Sequence, residues 1–252
     1  MKDLEGKVVL VTGASTGIGA AAARGFAAAG AVVAVHFSSS ADAAAAVVAD
    51  CRAAGAKADS FRADLTRRDT AGPLVEAVAA KFGGLDVLVN NAGGLVRRAR
   101  LAEIDDALFD TVVDLNVRQL VMASRAALPF IEKTRGSIIN TTSIAARSGG
   151  GPGASLYAAA KAFVSTLTKN WAKELGPKGV RVNAVSPGVI ETPFHERFST
   201  KEMLEAMRKT IPLERLGAPV DCTGTFLYLA SGEMSAYVTG QIIEVNGGQL
   251  MP

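Results

Sequence analysis

Short runs of consecutive apolar residues, rich in valine and isoleucine, alternate along this chain with longer alanine-rich stretches. Apolar residues at successive positions are typical of strands that are covered on both faces of a sheet. Six such runs lie at Val8–Val11, Val32–Val35, Val87–Val89, Ser137–Asn140, Val180–Val185 and Ile242–Val245, and Ala58–Arg62 is a weaker candidate for the third strand. Helix-length stretches separate them at 17–29, 40–54, 67–82, 103–131, 155–175 and 219–230. This alternation predicts right-handed βαβ units and a parallel sheet of about seven strands with helices on both faces.

No repeat, low-complexity tail or Pro/Gly-rich linker divides the chain, so residues 1–252 are predicted to form a single doubly wound α/β domain. The segment 189–215 breaks the alternation, since it holds Pro193, Pro212, two Phe and mixed charges. We interpret it as an insertion between the sixth strand and the last helix. Such loops often cover ligands.

The composition narrows the class of protein. Of 252 residues, 49% are hydrophobic and 20% are charged, which excludes a disordered chain. The formal net charge of +3 gives no strong attraction to nucleic acid or to an anionic membrane surface. Cys51 and Cys222 are too few for a disulfide framework and lack the spacing of a metal site. With no apolar stretch of membrane-spanning length and no signal-peptide pattern, a cytoplasmic, soluble protein without a metal site is expected.

A glycine-rich turn follows the first predicted strand and opens the first helix. Gly13 permits a tight turn, Gly17 lets the backbone approach a pyrophosphate, and Gly19 allows close packing of helix and sheet. The free N–H groups and the positive end of that helix are suited to bind phosphates. The position between strand and helix therefore predicts a dinucleotide site, although the glycine spacing departs from G-x-G-x-x-G.

Four further motifs follow this turn in order. Together with TGxxxGIG, the segments Asn90–Gly93, Tyr157-x-x-x-Lys161, Pro187-Gly188 and Gly247-Gly248 resemble the short-chain dehydrogenase/reductase family along essentially the whole chain. The resemblance implies a Rossmann-type fold and an NAD(P)-dependent enzyme that interconverts a ketone and a secondary alcohol. Within the family, the chain is most similar to 3-oxoacyl-(acyl-carrier-protein) reductases and to bacterial sugar or polyol dehydrogenases.

The resemblance also implies which residues bind the cofactor. Besides Tyr157 and Lys161, these are Gly13, Ser15, Thr16, Gly17, Ile18, Gly19, His36, Ser38, Asp64, Leu65, Asn91, Ala92, Gly93, Pro187, Gly188, Val189, Ile190 and Thr192. For two of them another interpretation stays open. His36 is equally consistent with a strand-end residue that makes no cofactor contact. Asp64 matches the family's adenine-binding Asp, and it fits an N-cap of the following helix equally well.

The residues after the second strand favour NADP(H) over NAD(H). An NAD site has a carboxylate at the end of that strand, and His36–Ser38 stands there instead. The hydroxyls of Ser38–Ser40 could bond a 2′-phosphate. The arginine that usually serves this purpose is missing, both after the strand and at Thr16.

Tyr157 and Lys161 are four residues apart and share one face of a predicted helix. Lowering a tyrosine pKa from about 10 to about 7 requires about 4 kcal/mol of preferential phenolate stabilisation. A neighbouring ammonium in a site that excludes water, together with the positive charge of a nicotinamide, could supply it. The resemblance implies that Tyr157 is the acid/base, which donates its proton to the carbonyl, and that Lys161 also binds the nicotinamide ribose.

Two more catalytic residues are implied by the resemblance. Ser143 would hydrogen-bond the substrate oxygen and stabilise developing charge, with its neighbour Thr142 as the alternative. The glycine-rich interval between Ser143 and Tyr157 is slightly long for the family. Asn116 matches the family's Asn that holds a water in a proton relay behind the Lys. Apart from the resemblance, an Asn in a helix is more often simply exposed.

Two groups near the expected substrate entrance have open interpretations. Five residues could line an apolar pocket or pack a lid helix, and packing is favoured: Phe194, His195, Phe198, Met203 and Met207. Arg97, Arg98 and Arg100 could steer an anionic substrate, but a solvated basic loop is the favoured interpretation.

The leading hypothesis is thus an NAD(P)-dependent oxidoreductase acting on a small-molecule ketone or alcohol. A 3-oxoacyl-thioester reductase is favoured over a sugar or polyol dehydrogenase. A non-catalytic dinucleotide-binding sensor is the third alternative, and the presence of Asn116, Ser143, Tyr157 and Lys161 argues against it. The resemblance further implies a homotetramer that packs through the helix carrying Tyr157 and the helix before it.

Overall fold

Seven parallel strands form one sheet in the computed structural model, which describes residues 1–252. The strands are β1 (Val8–Val11), β2 (Val32–Phe37), β3 (Ala58–Arg62), β4 (Val87–Asn90), β5 (Ser137–Thr141), β6 (Arg181–Pro187) and β7 (Ile242–Val245). Their order across the sheet is β3-β2-β1-β4-β5-β6-β7, so the direction of winding reverses between β1 and β4. The predicted doubly wound parallel sheet, including its weak third strand, is confirmed.

Helices cover both faces of the sheet. They are α1 (Gly17–Ala28), α2 (Ala41–Ala53), α3 (Ala71–Phe82), α4 (Asp106–Val113), α5 (Gln119–Thr134), α6 (Ala145–Ser148), α7 (Ser155–Leu175), α8 (Pro193–Phe198), α9 (Lys201–Arg208) and α10 (Thr223–Ala230). Within β4, Val87 and Val89 pack on the side of α1, α2 and α10, whereas Leu88 packs on the side of α3, α5 and α7. Burial on both sides explains why a central strand such as β1 is apolar on both faces.

The stretch 103–131, predicted as one helix, differs from the expectation. A π-helical turn at Asp114–Arg118 separates α4 from α5, and α5 continues to Thr134 through Pro129. Such turns insert one residue into a helix and often lie at functional sites. The insertion at 189–215 contains the two short helices α8 and α9. None of the helices combines the length and the apolar character needed to cross a membrane.

Candidate active site

A cavity of about 700 Å³ opens at the carboxyl edge of the sheet, beside the reversal between β1 and β4. In open parallel α/β sheets, this crevice is where ligands bind. Its walls come from the β1–α1 turn, the segments that follow β2 to β6, and the start of α7. Every residue predicted for the site lines this cavity, except Gly19 and Asn116, which lie behind its wall.

The glycines of the β1–α1 turn are in close contact with the loop after β4. Gly13 has a left-handed φ of +63°, and a Cβ there would lie 3.0 Å from the Cα of Ala92. A Cβ on Gly19 would lie 2.3 Å from the carbonyl oxygen of Gly13. The side-chain amide of Asn91 donates to that same oxygen at 3.2 Å. Contact with the backbone therefore excludes a side chain at both positions, whether or not a ligand is bound.

The turn fits the diphosphate of a dinucleotide. Thr16 is the N-cap of α1, and its side chain does not cap the helix. The backbone N–H groups from Ser15 to Gly19 donate to no backbone carbonyl of the protein. Unpaired N–H groups at a helix N-terminus are suited to bind phosphate oxygens. Thr192 lies across this turn, because its Cγ2 would be 3.1 Å from a Cβ on Gly17.

His36 lies between three elements and offers no free ring nitrogen to the cavity. The N–H of Gly13 donates to its Nδ1 at 2.9 Å, and its Nε2 bonds the carbonyl oxygen of Ala63 at 3.1 Å. The residue is 2% exposed, and burial lowers its pKa below the ordinary value. The ring nitrogens are therefore not available to bond an adenosine, although His36 lines the cavity, and both interpretations of the residue stay open.

Asp64 does not cap the following helix, because Thr70 is the N-cap of α3. Its Oδ1 accepts hydrogen bonds from the N–H and the hydroxyl of Thr66, at 3.0 and 2.7 Å. These bonds lower the pKa of the Asp64 carboxyl. The N-cap interpretation is thus wrong, and a charged carboxylate stands on the cavity wall beside buried Leu65.

The loop after β2 has a cation that the sequence motif lacks. Arg62, the last residue of β3, pairs with Phe37 in the sheet and donates from Nε to the carbonyl oxygen of Ser38 at 3.2 Å. Ser38, Ser39 and Ser40 are exposed and line the cavity. The guanidinium of Arg62 is therefore bonded to the backbone of the segment that carries these three hydroxyls.

Ser143, Tyr157 and Lys161 come together at the inner end of the cavity. The ammonium nitrogen of Lys161 lies 5.8 Å from the centre of the Tyr157 ring and donates to the carbonyl oxygen of Thr141 at 2.8 Å. The Thr142 hydroxyl donates to the carbonyl oxygen of Lys161 at 2.8 Å. Thr142 thereby holds α7, while Ser143, on the cavity wall, is the hydroxyl available to a ligand.

Burial dominates the titration of this pair. Burial raises the pKa of Tyr157, and the hydroxyl of Ser143 acts in the opposite direction. Burial lowers the pKa of Lys161 to about 8. The protein alone therefore favours the protonated phenol of Tyr157, which is the form that donates a proton.

Asn116 lies in the π-helical turn, directly behind the loop after β4. Its Nδ2 donates to the carbonyl oxygens of Gly94 and Val112, both at 2.9 Å, and its Oδ1 accepts from the N–H of Gly94 at 3.0 Å. A Cβ on Gly93 would lie 2.8 Å from Asn116 Oδ1 and 3.0 Å from Lys161 Nζ. Asn116 is thus buried behind Lys161, with its side chain bonded to the backbone.

The segment after β6 forms the outer wall. Phe194, on α8, lies 5.7 Å from the Tyr157 ring between ring centres and packs against Phe198 at 5.1 Å. Phe194, His195 and Met207 line the cavity. We call the helices α8 and α9 the lid. The apolar residues of this segment therefore serve both interpretations, since some line the pocket and Phe198 packs within the lid.

Arg98 is the arginine that reaches the cavity, and it holds the lid. It donates from Nε to the carbonyl oxygen of Phe198 at 3.0 Å and from one terminal nitrogen to that of Pro152 at 2.9 Å. Arg97 turns away, toward the carbonyl oxygen of Glu103 and the carboxylate of Asp105. Sequence reasoning missed this contact and that of Arg62, and only the strand register, Phe37 opposite Arg62, could have indicated the latter.

The chain is similar over nearly its whole length to known proteins. A family model described as enoyl-(acyl carrier protein) reductase matches residues 13–249. The 3-oxoacyl-(acyl-carrier-protein) reductase of Thermotoga maritima is 42% identical over 246 residues, which cover 97% of this chain and 98% of that protein. The 3-oxoacyl-(acyl-carrier-protein) reductase of Synechocystis is 41% identical over 252 residues, which cover 100% of both.

Solved structures are similar as well. The NADH-dependent reductase A1-R′, responsible for alginate metabolism, has a TM-score of 0.93 at 39% identity and covers 100% of both chains. A short-chain dehydrogenase from Burkholderia cenocepacia in complex with NADP has a TM-score of 0.91 at 36% identity, covering 98% of this chain and 99% of that one.

Proposed function

Since the chain belongs to the short-chain dehydrogenase/reductase family, we propose that it reduces the 3-oxo group of an acyl thioester to a hydroxyl with NADPH. Family membership makes it an NAD(P)-dependent oxidoreductase. The observation that carries the proposal is the continuous cavity, in which a phosphate-binding turn leads to a buried Ser143–Tyr157–Lys161 cluster beside an apolar lid. Two relatives of about 40% identity bear the name of a 3-oxoacyl thioester reductase.

The proposed chemistry divides between cofactor and protein. The nicotinamide, when bound, supplies the hydride. The Tyr157 hydroxyl donates its proton to the substrate oxygen as that oxygen gains negative charge, and Ser143 donates a hydrogen bond to the same oxygen. The ammonium of Lys161, 5.8 Å from the ring centre, then stabilises the phenolate that remains. Asn116 holds the loop after β4, and a water bound behind Lys161 completes the proposed proton relay.

The loop after β2 supports NADPH as the preferred cofactor. A 2′-phosphate at Ser38–Ser40 would meet three exposed hydroxyls and the guanidinium of Arg62. Phosphate binds arginine by charge-assisted hydrogen bonds, which are about twice as strong as neutral ones. Asp64 and Leu65 on the opposite wall would contact the adenine, whereas the turn from Gly13 to Gly19 would hold the diphosphate. Pro187 to Thr192 would contact the nicotinamide end.

A sugar-derived ketone is the second candidate substrate. The favouring observation is the likeness to the alginate-metabolism reductase, with a TM-score of 0.93. The lid residues that face the cavity, Phe194 and Met207, are apolar and favour an acyl chain instead. His195, whose Nδ1 bonds the Ser199 hydroxyl at 3.0 Å, is the polar group of this wall.

Two further proposals concern the protein in its cell. Phe109 on α4 and Phe163 on α7 are half exposed, and packing them against a second copy of the chain would bury both rings in a homotetramer. Cys51 and Cys222 are both buried as free thiols, which supports a reducing, cytoplasmic location.

The test is NADPH oxidation with a short 3-oxoacyl-CoA as substrate, using wild type, Tyr157→Phe and Tyr237→Phe. Tyr237 is fully exposed and serves as the matched control. We expect rapid turnover by wild type and by Tyr237→Phe, and a loss of 10²-fold or more in kcat for Tyr157→Phe, since general acid catalysis contributes about 10²–10⁴-fold. Undiminished turnover by Tyr157→Phe would refute the mechanism. Turnover with sugar-derived ketones alone would replace the thioester by the second candidate.

A further inference from the structure

His36 ties the glycine turn to the two neighbouring strands. Its Nδ1 accepts from the N–H of Gly13, its own carbonyl oxygen accepts from the N–H of Ala14 at 2.8 Å, and its Nε2 reaches the carbonyl oxygen of Ala63. The β1–α1 turn, the end of β2 and the segment after β3 therefore meet at one buried side chain.

The bonding pattern determines the form of the ring. The N–H of Gly13 can only donate, so Nδ1 must carry a lone pair. The carbonyl oxygen of Ala63 can only accept, so the proton is on Nε2. His36 is thus neutral in a single tautomer, and all of its polar atoms are paired inside the protein.

We propose that neutral His36 is a positioning residue of the dinucleotide site, which holds the Gly13 amide and thereby the phosphate-binding turn in register with the adenine edge of the cavity. The proposal rests on the proposed function, because it concerns the same dinucleotide. Gly13 has a left-handed φ, and Nδ1 of His36 is the acceptor of its N–H. The five amides from Ser15 to Gly19 donate to no backbone carbonyl and would face the phosphates.

Protonation of His36 would replace the hydrogen bond between Gly13 N–H and Nδ1 by repulsion between two donors. A proton on Nδ1 would place a donor against the N–H of Gly13, and burial already disfavours the charged ring. The charged residues of the adjoining segments include Asp59 and Arg62 on β3, Asp64 after it, and Asp42 in the first turn of α2. The segment from Thr12 to Gly19 has no titratable side chain. Dinucleotide affinity is therefore expected to fall in acid, as His36 is forced to take up a proton.

The experiment compares His36→Asn with His36→Phe in the full-length protein. Asn places Oδ1 where Nδ1 stands and retains the acceptor for Gly13, whereas Phe retains the ring and removes both nitrogens. Dissociation constants for NADPH are measured by fluorescence at pH 8, and kcat is measured at saturating NADPH. We expect the Kd for NADPH to increase about tenfold in His36→Phe and to stay within about threefold of the wild-type Kd in His36→Asn. The kcat of both variants should stay within about twofold of the wild-type value.

The pH arm uses NAD⁺, which is stable in acid and has no titrating 2′-phosphate. Calorimetric titrations run from pH 5 to 8 in a His195→Gln background, where His36 is the sole remaining histidine. We expect affinity to fall toward the acid end of this range when His36 is present, because burial lowers its pKa, and to stay level in His36→Asn.

The outcomes separate the two proposals. If wild type binds neither NADPH nor NAD⁺ at pH 8, the dinucleotide site and the role of His36 both fail. If wild type binds but His36→Phe binds equally well, or Asn and Phe lose affinity equally, only the role of His36 is overturned. If His36→Phe does not fold, the Asn variant and the pH arm decide, and a pH profile unchanged by His36→Asn is the contrary result.

Discussion

Replacing Lys161 by Met should stabilise the protein while abolishing its activity. The ammonium is 4% exposed, and burial lowers its pKa from 10.5 to about 8. At about 1.4 kcal/mol per pH unit, this difference corresponds to a cost of about 3 kcal/mol for keeping the charge in the folded state. The bond to the Thr141 carbonyl is lost in the variant, which subtracts about 1 kcal/mol. A net gain of about 2 kcal/mol in the free energy of unfolding is expected at pH 7 without cofactor.

The gain should depend on pH in a defined direction. Below pH 8 the lysine is charged in both the folded and the unfolded state, so the full cost is present. Between pH 8 and 10.5 the unfolded chain binds more protons than the folded one, and the stability of wild type rises with pH. The gain of Lys161→Met over wild type should therefore shrink across this window, and above it the variant should be less stable by about 1 kcal/mol, the contribution of the lost hydrogen bond.

Denaturant unfolding of the cofactor-free protein measures the effect at fixed protein concentration, because self-association shifts apparent stability. Lys169→Met is the matched control, since Lys169 is exposed on the same helix, and its effect should be within about 0.5 kcal/mol. A Lys161→Met variant that is less stable than wild type at pH 7, or a difference that does not change with pH, would refute the reasoning.

Two further predictions concern the cofactor site. Arg62→Gln should raise the KM for NADPH by about tenfold and leave that for NADH unchanged, because in the proposed site only the 2′-phosphate would meet this guanidinium. Arg67→Gln is the exposed control, and equal effects on both cofactors would exclude the proposed contact. Gly19→Ala should weaken dinucleotide binding at least tenfold or prevent folding, because its Cβ would lie 2.3 Å from the Gly13 carbonyl oxygen. The control is Gly72→Ala, which should be neutral or stabilising because the space around Gly72 is open. A normal NADPH titration of Gly19→Ala would contradict this prediction.

The fold was predictable because its signals are local. Consecutive apolar residues such as Val8–Val11 can satisfy both faces of a sheet only between two layers of helices. The break between α4 and α5 was not predictable, since a single π-helical turn adds only one residue to an otherwise α-helical pattern. The π-helical turn is supported by bonds from Asn116 to Gly94, which is 22 residues away in the chain.

The candidate site likewise has a part that the sequence predicted and a part that it did not. The glycine turn was found because its residues lie in one loop between a strand and a helix, and the Tyr157–Lys161 pair was assigned because its spacing matches the family motif. The contacts of His36, Arg62 and Arg98 were not found, because they join positions 23, 24 and 100 residues apart. No spacing rule relates such positions, and their meeting depends on strand register and loop packing.

The sequence by itself thus determined the parallel α/β architecture and the glycine turn between β1 and α1, since periodicity and short-range geometry specify them, whereas the resemblance to the family implied the roles of Tyr157 and Lys161. The tertiary structure decided which polar atoms remain free for a ligand. The ring nitrogens of His36 are bonded to Gly13 and Ala63, and the guanidinium of Arg98 is bonded to Phe198 of α8. Arg62 is bonded to the carbonyl oxygen of Ser38. The reason is that burial and pairing are properties of groups distant in the chain, and only their arrangement in space sets protonation, orientation and access.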